Sequence, residues 1–202
     1  MHQATYNSCN KPSDARECGH RILGLIALAL LALAPNQVDA KIYFTPKQVQ
    51  KVCFPKADRF EQKVARFSAE QIKSIKKACG VEVEIPGTRY ALAWQGKQLI
   101  GVVIYDYVLG KSEVIDYCVA LMPDGEVKQI EILQYRESHG YEIRRPGWLR
   151  QFAKKTSTSK IRLHDDIANI TGATISCRNI TAGVKRVLMT WHLVLRPIIM
   201  KV

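Results

Sequence analysis

The chain has 202 residues, enough for one ordinary domain and a short leader, and its 47% hydrophobic and 24% charged residues exclude a disordered protein. Its net charge of +12 favours anionic partners, such as phosphates, acidic proteins, nucleic acid or a membrane face. Because the basic residues are scattered and do not form an arm or a stripe, no nucleic-acid partner is expected.

The first 40 residues have the organisation of a secretory signal peptide. Arg16 and Arg21 precede an apolar run over residues 22–34, and small residues at and before Ala40 suit a signal peptidase. We therefore expect residues 1–40 to be a signal peptide and residues 41–202 to be a periplasmic domain. An uncleaved anchor is the alternative, although the run is short for a membrane span.

Export permits disulfides, and four cysteines lie beyond the predicted leader. Cys53 and Cys79 fall on two neighbouring predicted helices and could form a bridge, or they could be small buried side chains. The cysteine spacing, which includes Cys118 and Cys177, matches neither a haem-attachment motif nor a paired zinc motif. The histidines of the domain are scattered and predict no metal site.

Two short helices are predicted at the start of the domain. The sequence Thr45-Pro46-Lys47-Gln48 combines a capping Thr, a Pro in the first turn and a Gln placed to cap back, and this helix stops at Pro55. The sequence Ser68-Ala69-Glu70-Gln71 repeats the capping pattern, and Gly80 ends the second helix.

The pattern changes to strands between Arg89 and Tyr135. Turn sequences at 95–97 and 123–125, each with a central or final Gly, separate paired apolar segments. The predicted strands are Tyr90–Trp94, Gln98–Tyr107, Glu113–Leu121 and Glu126–Leu133. No interval between them is long enough for a crossover helix. The predicted fold class is therefore α+β, an antiparallel sheet meander with flanking helices in a single domain, and not a doubly wound parallel sheet.

The sequence Ile170-Thr171-Gly172-Ala173-Thr174-Ile175-Ser176, called here the 170–176 segment, precedes a helical pattern that runs to Leu195. Its Gly and Ala leave the backbone bare, and its two Thr and one Ser place three hydroxyls around it. A helix that begins here directs unpaired N–H groups and its positive dipole end at those hydroxyls, which suits a phosphate. The same residues are also compatible with an ordinary capped helix start.

The sequence Thr-Gly-Ala-Thr-Ile-Ser within this segment resembles the flavinylation motif of the FMN-binding domain family, which includes flavoprotein subunits of sodium-pumping quinone reductases and related electron-transfer complexes. In that family the final Thr carries FMN through a phosphoester bond, installed by a flavin transferase. The matching residue is Thr174. The 135–143 loop and Trp-Leu-Arg-Gln-Phe at 148–152 are similar to the same family, so the resemblance spans roughly residues 44–195.

This resemblance implies a cofactor site made from two segments, with no catalytic or metal-ligating side chain. The predicted cofactor-binding residues of the 170–176 segment are Thr171, Gly172, Ala173, Thr174, Ile175 and Ser176. Those of the loop that resembles the flavin-facing loop of the family are Glu137, Ser138 and Gly140. The alternatives are that Ser176 caps the helix and that Glu137 pairs on the surface with Arg136 or Arg144. Trp148 and Trp191 are expected in the core.

The function implied is that of an exported FMN-binding electron-transfer protein in a membrane-associated or periplasmic redox chain, not a stand-alone enzyme. Its expected partners are the flavin transferase and membrane or periplasmic redox proteins, with peripheral membrane association. The alternative is a non-catalytic module that binds flavin reversibly, or binds another anionic ligand or partner protein. One residue departs from the family pattern: Ala168 stands where the family usually has Asp, and covalent attachment depends on whether the transferase needs that carboxylate.

Overall fold

The computed structural model describes residues 41–201, which form one antiparallel sheet with helices on both faces; the predicted signal peptide lies outside these residues. The strands are β1 (Lys41–Ile42), β2 (Arg59–Arg66), β3 (Gly87–Gln95), β4 (Gln98–Leu109), β5 (Val114–Leu121) and β6 (Val127–Tyr135). The helices are α1 (Pro46–Cys53), α2 (Ala69–Cys79), α3 (Pro146–Leu149), α4 (Thr174–Thr190) and α5 (Arg196–Met200). Short 3-10 turns at Tyr141–Arg144 and Arg150–Phe152 flank α3, and a π-helical segment at Trp191–Leu195 joins α4 to α5.

The sheet has the strand order β1-β6-β5-β4-β3-β2, and every neighbouring pair is antiparallel. Successive strands from β2 to β6 pair with each other, so the predicted meander and the α+β class are confirmed. The four predicted strands correspond to β3–β6. The sequence did not predict β2, because this edge strand has no fully buried residue, carries four charged residues and shows no continuous apolar face.

Local sequence signals place the turns and helix ends where they were predicted. Thr45 and Ser68 each form a complete capping box at the start of α1 and α2. Gly80 ends α2 in the left-handed conformation, with φ of 72°. Gly96 and Gly125 have φ of 58° and 97° in the two hairpin turns, a region that side chains disfavour.

The two faces of the sheet are covered by different helices. On one face, α4 and the α3 region bury a large apolar cluster that contains Trp148 and Trp191, which are 5% and 2% exposed, so their predicted place in the core is confirmed. On the opposite face, α1 buries a second cluster. The helix α2 packs through Ile75 against Val194 of the π-helical segment. Within the described part of the chain, no helix has the length and apolarity needed to cross a membrane.

The cysteines are distributed over three clusters, and the Cys53–Cys79 bridge considered from the sequence is wrong. Cys53 and Cys118 belong to the cluster under α1, whereas Cys79 belongs to the cluster between α2 and the π-helical segment. Cys177 is part of α4 and belongs to the cluster on the other face of the sheet. All four are buried thiols, as in the alternative interpretation.

A partly buried ion pair fixes α4 to the sheet. Arg186 donates from Nη2 to Asp106 Oδ2 of β4 at 2.8 Å, and the Tyr117 hydroxyl donates to the same oxygen at 2.5 Å. Arg186 also donates to the Tyr107 carbonyl oxygen at 2.9 Å. One turn earlier on α4, a Cβ at Gly183 would collide with the Tyr117 hydroxyl. Glycine is therefore required inside this helix so that α4 can approach the sheet closely.

Candidate functional site

The helix α4 begins at Thr174, directly after two residues with little or no side chain. Its first backbone hydrogen bond runs from Cys177 N to Ala173 O at 2.9 Å. The N–H groups of residues 174–176 precede that bond, so they have no partner within the helix. Ala173 occupies the N-cap position, where no side chain caps the helix. The helix start therefore presents uncapped donors and the positive end of its dipole.

Gly172 opens the space in front of these donors. Its φ of 87° lies in the left-handed region, which favours glycine, and a Cβ built on it would meet nothing within 4 Å. Thr171 and Gly172 are exposed, and Thr174 is half-buried. These features fit a phosphate group: unpaired N–H donors, a reachable hydroxyl and an unobstructed approach lie together at one helix end.

The hydroxyl of Thr174 has a fixed neighbour that the sequence analysis missed. Asn169 Nδ2 donates to Thr174 Oγ1 at 2.9 Å. The other amide atom, Asn169 Oδ1, is buried and has no hydrogen-bond partner among the described residues. Since Thr174 Oγ1 accepts this bond, the hydroxyl proton is left to point elsewhere. An Asn five residues before a Thr carries no specific sequence signal, so only the folded turn reveals the pair.

Ser176 lies inside the domain and faces the sheet. Its side chain is 5% exposed, and its Oγ lies 3.4 Å from the Tyr135 hydroxyl oxygen. The Tyr135 hydroxyl donates its single proton to the His139 carbonyl oxygen at 2.5 Å, so Ser176 is the donor to Tyr135. Burial raises the pKa of Tyr135, so this hydroxyl stays protonated at neutral pH. The suggestion that Ser176 caps the helix is wrong, because its oxygen is directed to Tyr135.

Gly140 brings the predicted flavin loop against the helix start. It has φ of 87°, and a Cβ placed on it would lie 2.7 Å from the Tyr135 hydroxyl oxygen. The same Cβ would lie 3.5 Å from Ala173 Cβ and from Ser176 Oγ. The fold thus places Gly140 beside the 170–176 segment, although more than 30 residues separate them in the sequence. Only glycine permits this close approach.

Glu137 of the same loop is directed to the β4–β5 turn and away from the helix start. Its Oε1 accepts from Ser112 N at 2.7 Å and from Glu113 N at 3.0 Å, and its Oε2 accepts from Ser112 Oγ at 3.1 Å. Burial opposes ionisation, but these donors outweigh it and lower the pKa of Glu137. The neighbouring Ser138 is exposed. The carboxylate of Glu137 therefore stabilises a turn in this structure.

The surface pairings considered for Glu137 are also wrong. Arg136 is paired with Asp116, with 2.8 Å between Nη1 and Oδ2. The Arg144 guanidinium stacks on the ring of Tyr43, 3.2 Å from its centroid. Both arginines are therefore engaged by other groups, and the negative charge of Glu137 is stabilised by hydrogen-bond donors of the turn.

A cavity of about 910 Å³ lies elsewhere, at the end of the sheet where β2 finishes and β3 starts. Its lining includes Arg66, Arg89, Tyr105, Tyr107 and Arg136. No residue of the 170–176 segment lines this cavity, and neither do Glu137, Ser138 or Gly140. Cavity size and site chemistry thus point to different places. The helix start is the better candidate for a phosphate-bearing ligand, because its donors and hydroxyl match that group, whereas apolar, aromatic and charged side chains line the cavity together.

The sequence model of the FMN-binding domain family matches residues 110–189. This interval contains both segments of the candidate site and runs from the turn that Glu137 stabilises to the end of α4. The resemblance to this family is thereby confirmed, and FMN is the cofactor that the match supports. The fold and the site thus define an α+β domain that is similar to the FMN-binding domain family over residues 110–189.

Solved structures similar to this chain include NqrC of Shewanella oneidensis. The two are 16% identical, the match covers 73% of this chain and 83% of that chain, and the TM-score is 0.47. A comparison with curated proteins gives no match.

Proposed function

We propose that this protein is an exported electron-transfer protein that carries FMN on Thr174 through a phosphoester bond. One observation carries the proposal: Thr174 is the first residue of an uncapped helix, its hydroxyl is half-buried and reachable, and Gly172 leaves open space beside it. This arrangement falls within the interval that matches the FMN-binding domain family. The bound FMN would supply one- or two-electron redox chemistry.

The residues of the chain have positioning roles in this proposal. The N–H groups of residues 174–176 are placed to hold phosphate oxygens, and the helix dipole favours the negative charge. Asn169 fixes the direction of the Thr174 oxygen through the 2.9 Å hydrogen bond. No general base lies beside Thr174 among the contacts of the described residues. A Thr hydroxyl is a weak nucleophile at neutral pH, so activation is assigned to the flavin transferase.

The attachment step requires an activated flavin. The Oγ–H bond of Thr174 breaks, an Oγ–P bond forms to the flavin phosphate, and a leaving group departs from phosphorus. A phosphoanhydride-linked flavin nucleotide satisfies this balance, since the departing nucleotide phosphate takes the proton equivalent. The transferase must therefore reach the helix start from solvent, where Thr171 and Gly172 are exposed.

Position 168 bears directly on this step. The Ala168 backbone is held by two hydrogen bonds, from Trp148 Nε1 to Ala168 O at 2.7 Å and from Ala168 N to Gln151 Oε1 at 2.7 Å. The residue itself is exposed. A carboxylate at this position would face solvent and be available to the transferase. The Ala at position 168 therefore affects the transferase reaction and leaves the phosphate-binding site at the helix start unchanged.

The experiment is production in a bacterium with the flavin transferase present, followed by denaturing electrophoresis and flavin fluorescence. We expect fluorescence on the wild-type polypeptide, none on Thr174→Val, and full fluorescence on Thr158→Val, which is the matched control at an exposed Thr outside the candidate site. If the native protein is yellow but the denatured polypeptide is dark, the reversible flavin-binding module is the correct alternative. A colourless native protein contradicts both.

Export is tested separately by cell fractionation and N-terminal sequencing. Cleavage after Ala40 gives a periplasmic protein that begins at Lys41. Retention of residues 1–40 on a membrane-bound protein contradicts the cleaved signal peptide and supports the uncleaved anchor. Redox partners are tested by following the absorbance of the bound flavin in membranes supplied with a reduced donor; a flavin that stays oxidised there contradicts the electron-transfer role.

A further inference from the structure

The helix α1 buries Val49, Gln50 and Cys53, and the contact that Gln50 makes with the sheet indicates where Cys53 lies. Gln50 and Cys53 lie three residues apart, so they share one face of the helix. Gln50 is 3% exposed, and its Nε2 donates to the Tyr105 hydroxyl oxygen at 2.8 Å. Cys53 is fully buried on the same face.

The sheet presents a matching pair beneath this face. Tyr105 of β4 and Cys118 of β5 are direct partners across the two antiparallel strands, so their side chains project from the same side, about 5 Å apart. With Gln50 bonded to Tyr105, Cys53 is placed over Cys118. Both cysteines are 0% exposed and belong to the same apolar cluster. The two thiols are therefore neighbours within this cluster. Burial raises the pKa of Cys118 well above its usual value, and the neighbouring Cys53 raises it further.

We propose that Cys53 and Cys118 form an intramolecular disulfide that links α1 to the middle of the sheet. Two S–H bonds break and one S–S bond forms, and two electrons and two protons pass to an oxidant. The oxidant is a disulfide of low molecular weight or on a thiol–disulfide oxidoreductase, which is itself reduced to two thiols. Such disulfides are available to an exported protein.

The folded structure also determines when the bond forms. Exchange requires access for the attacking disulfide, and the folded domain offers none at these two fully buried positions. The bond therefore forms during folding, before α1 closes over the sheet, and is then protected from reductants by the same burial.

The remaining cysteines of the described chain are placed apart from this pair. The Cys79 thiol donates to the Val81 carbonyl oxygen at 3.5 Å in the cluster under α2. Cys177 is a buried residue of α4, on the opposite face of the sheet from Cys118. Both are expected to stay reduced.

The test uses the full chain, reduced and denatured, then refolded in a mixture of oxidised and reduced glutathione. Free thiols are alkylated, and tryptic peptides are mapped by mass spectrometry. We expect a cross-linked species that joins peptide 52–56 to peptide 112–128, two hydrogens lighter than their sum, which disappears on reduction. The matched variants are Cys53→Ser, in which the species is lost, and Cys79→Ser, in which it persists.

Three results would overturn the proposal: both peptides alkylated in the refolded protein, glutathione attached to Cys53 or Cys118, or Cys53 linked to another cysteine. The wild-type map decides the question even if a variant fails to fold. A second measurement compares thermal unfolding with and without dithiothreitol. The midpoint should fall on reduction in the wild type and stay constant in Cys53→Ser. Because the assay reads thiols, its outcome is independent of flavin attachment and of export.

Discussion

Gly140 and Gly172 have the same backbone conformation in different surroundings, so alanine at each position separates backbone strain from packing. Both have φ of 87°. A Cβ at Gly172 meets nothing within 4 Å, whereas a Cβ at Gly140 lies 2.7 Å from the Tyr135 hydroxyl oxygen. Any difference in stability between Gly140→Ala and Gly172→Ala therefore measures how tightly the 135–143 loop is packed against the helix start.

The expected magnitudes follow from these contacts. A left-handed conformation costs an alanine about 1–2 kcal/mol. Alanine also lowers the conformational entropy of the unfolded chain, which stabilises the folded state by about 0.5 kcal/mol. Gly172→Ala should therefore lower the free energy of unfolding by about 1 kcal/mol. At Gly140 the Tyr135 hydroxyl must also move while it keeps its 2.5 Å hydrogen bond to the His139 carbonyl oxygen. Overpacking of this kind adds about 1–3 kcal/mol, which gives a total of about 2–4 kcal/mol.

The assay is urea unfolding followed by tryptophan fluorescence and circular dichroism, with equal m-values as the condition for comparison. Gly80→Ala is the matched control, since Gly80 has φ of 72° and also meets nothing within 4 Å, far from the candidate site. It should resemble Gly172→Ala. Equal losses at Gly140 and Gly172, or a larger loss at Gly172, would refute the close packing of the loop on the helix start.

Two further changes probe the surroundings of Thr174, and a third probes the loop that precedes them. Asn169→Ala should slow flavin attachment about tenfold, because the hydroxyl loses the 2.9 Å bond that orients it, and timed in-gel fluorescence measures this rate. Ala168→Asp should raise the same rate, since it restores at an exposed position the carboxylate usual in the family. Asp166→Asn should lower the free energy of unfolding at pH 7 by about 1–2 kcal/mol. Burial opposes ionisation of Asp166, but Lys155 and the N–H groups of residues 161 and 162 outweigh it. Together they lower the pKa of Asp166 from 3.8 to about 2. This last contribution is complete above pH 4 and is lost as the pH falls to 2, so urea titrations of both proteins should converge there.

Each of these has a result that would contradict it. Unchanged attachment in Asn169→Ala means that the transferase orients the hydroxyl without help from this side chain. A slower rate in Ala168→Asp shows that the transferase tolerates only a small residue. A stability gap between wild type and Asp166→Asn that persists at pH 2 assigns the loss to packing and not to charge. Thermal unfolding of each variant at pH 7 confirms that the domain is folded before rates are compared.

Features encoded in short stretches of sequence could be predicted, because their physical causes are local. The capping boxes of Thr45 and Ser68 and the glycine turns at Gly96 and Gly125 act within four residues, and all four were located from the sequence. The strand β2 was missed because its residues Arg59–Arg66 become a strand only through pairing with β3.

The interior of the candidate site depended on contacts between distant residues. Glu137 bonds to Ser112, 25 positions earlier, and no spacing rule connects a loop to a turn so far away. The amide of Asn169 reaches Thr174 only because the intervening turn folds back on itself. The sequence thus located the segments of the site and the loop beside them, whereas the partner of each polar atom required coordinates.

The outer strand β2 has a consequence for the behaviour of the protein in concentrated solution. Along it, Arg59, Glu61 and Lys63 form a short row of alternating charges, with Lys63 Nζ 3.0 Å from Glu61 Oε1. A second molecule that paired a strand with this edge of the sheet would have to desolvate these charged side chains before it could form backbone hydrogen bonds. At the other margin of the described sheet, β1 offers only two residues. Crowded copies of the domain should therefore resist joining into continuous fibrils, and replacing the row with valine and threonine should remove that resistance.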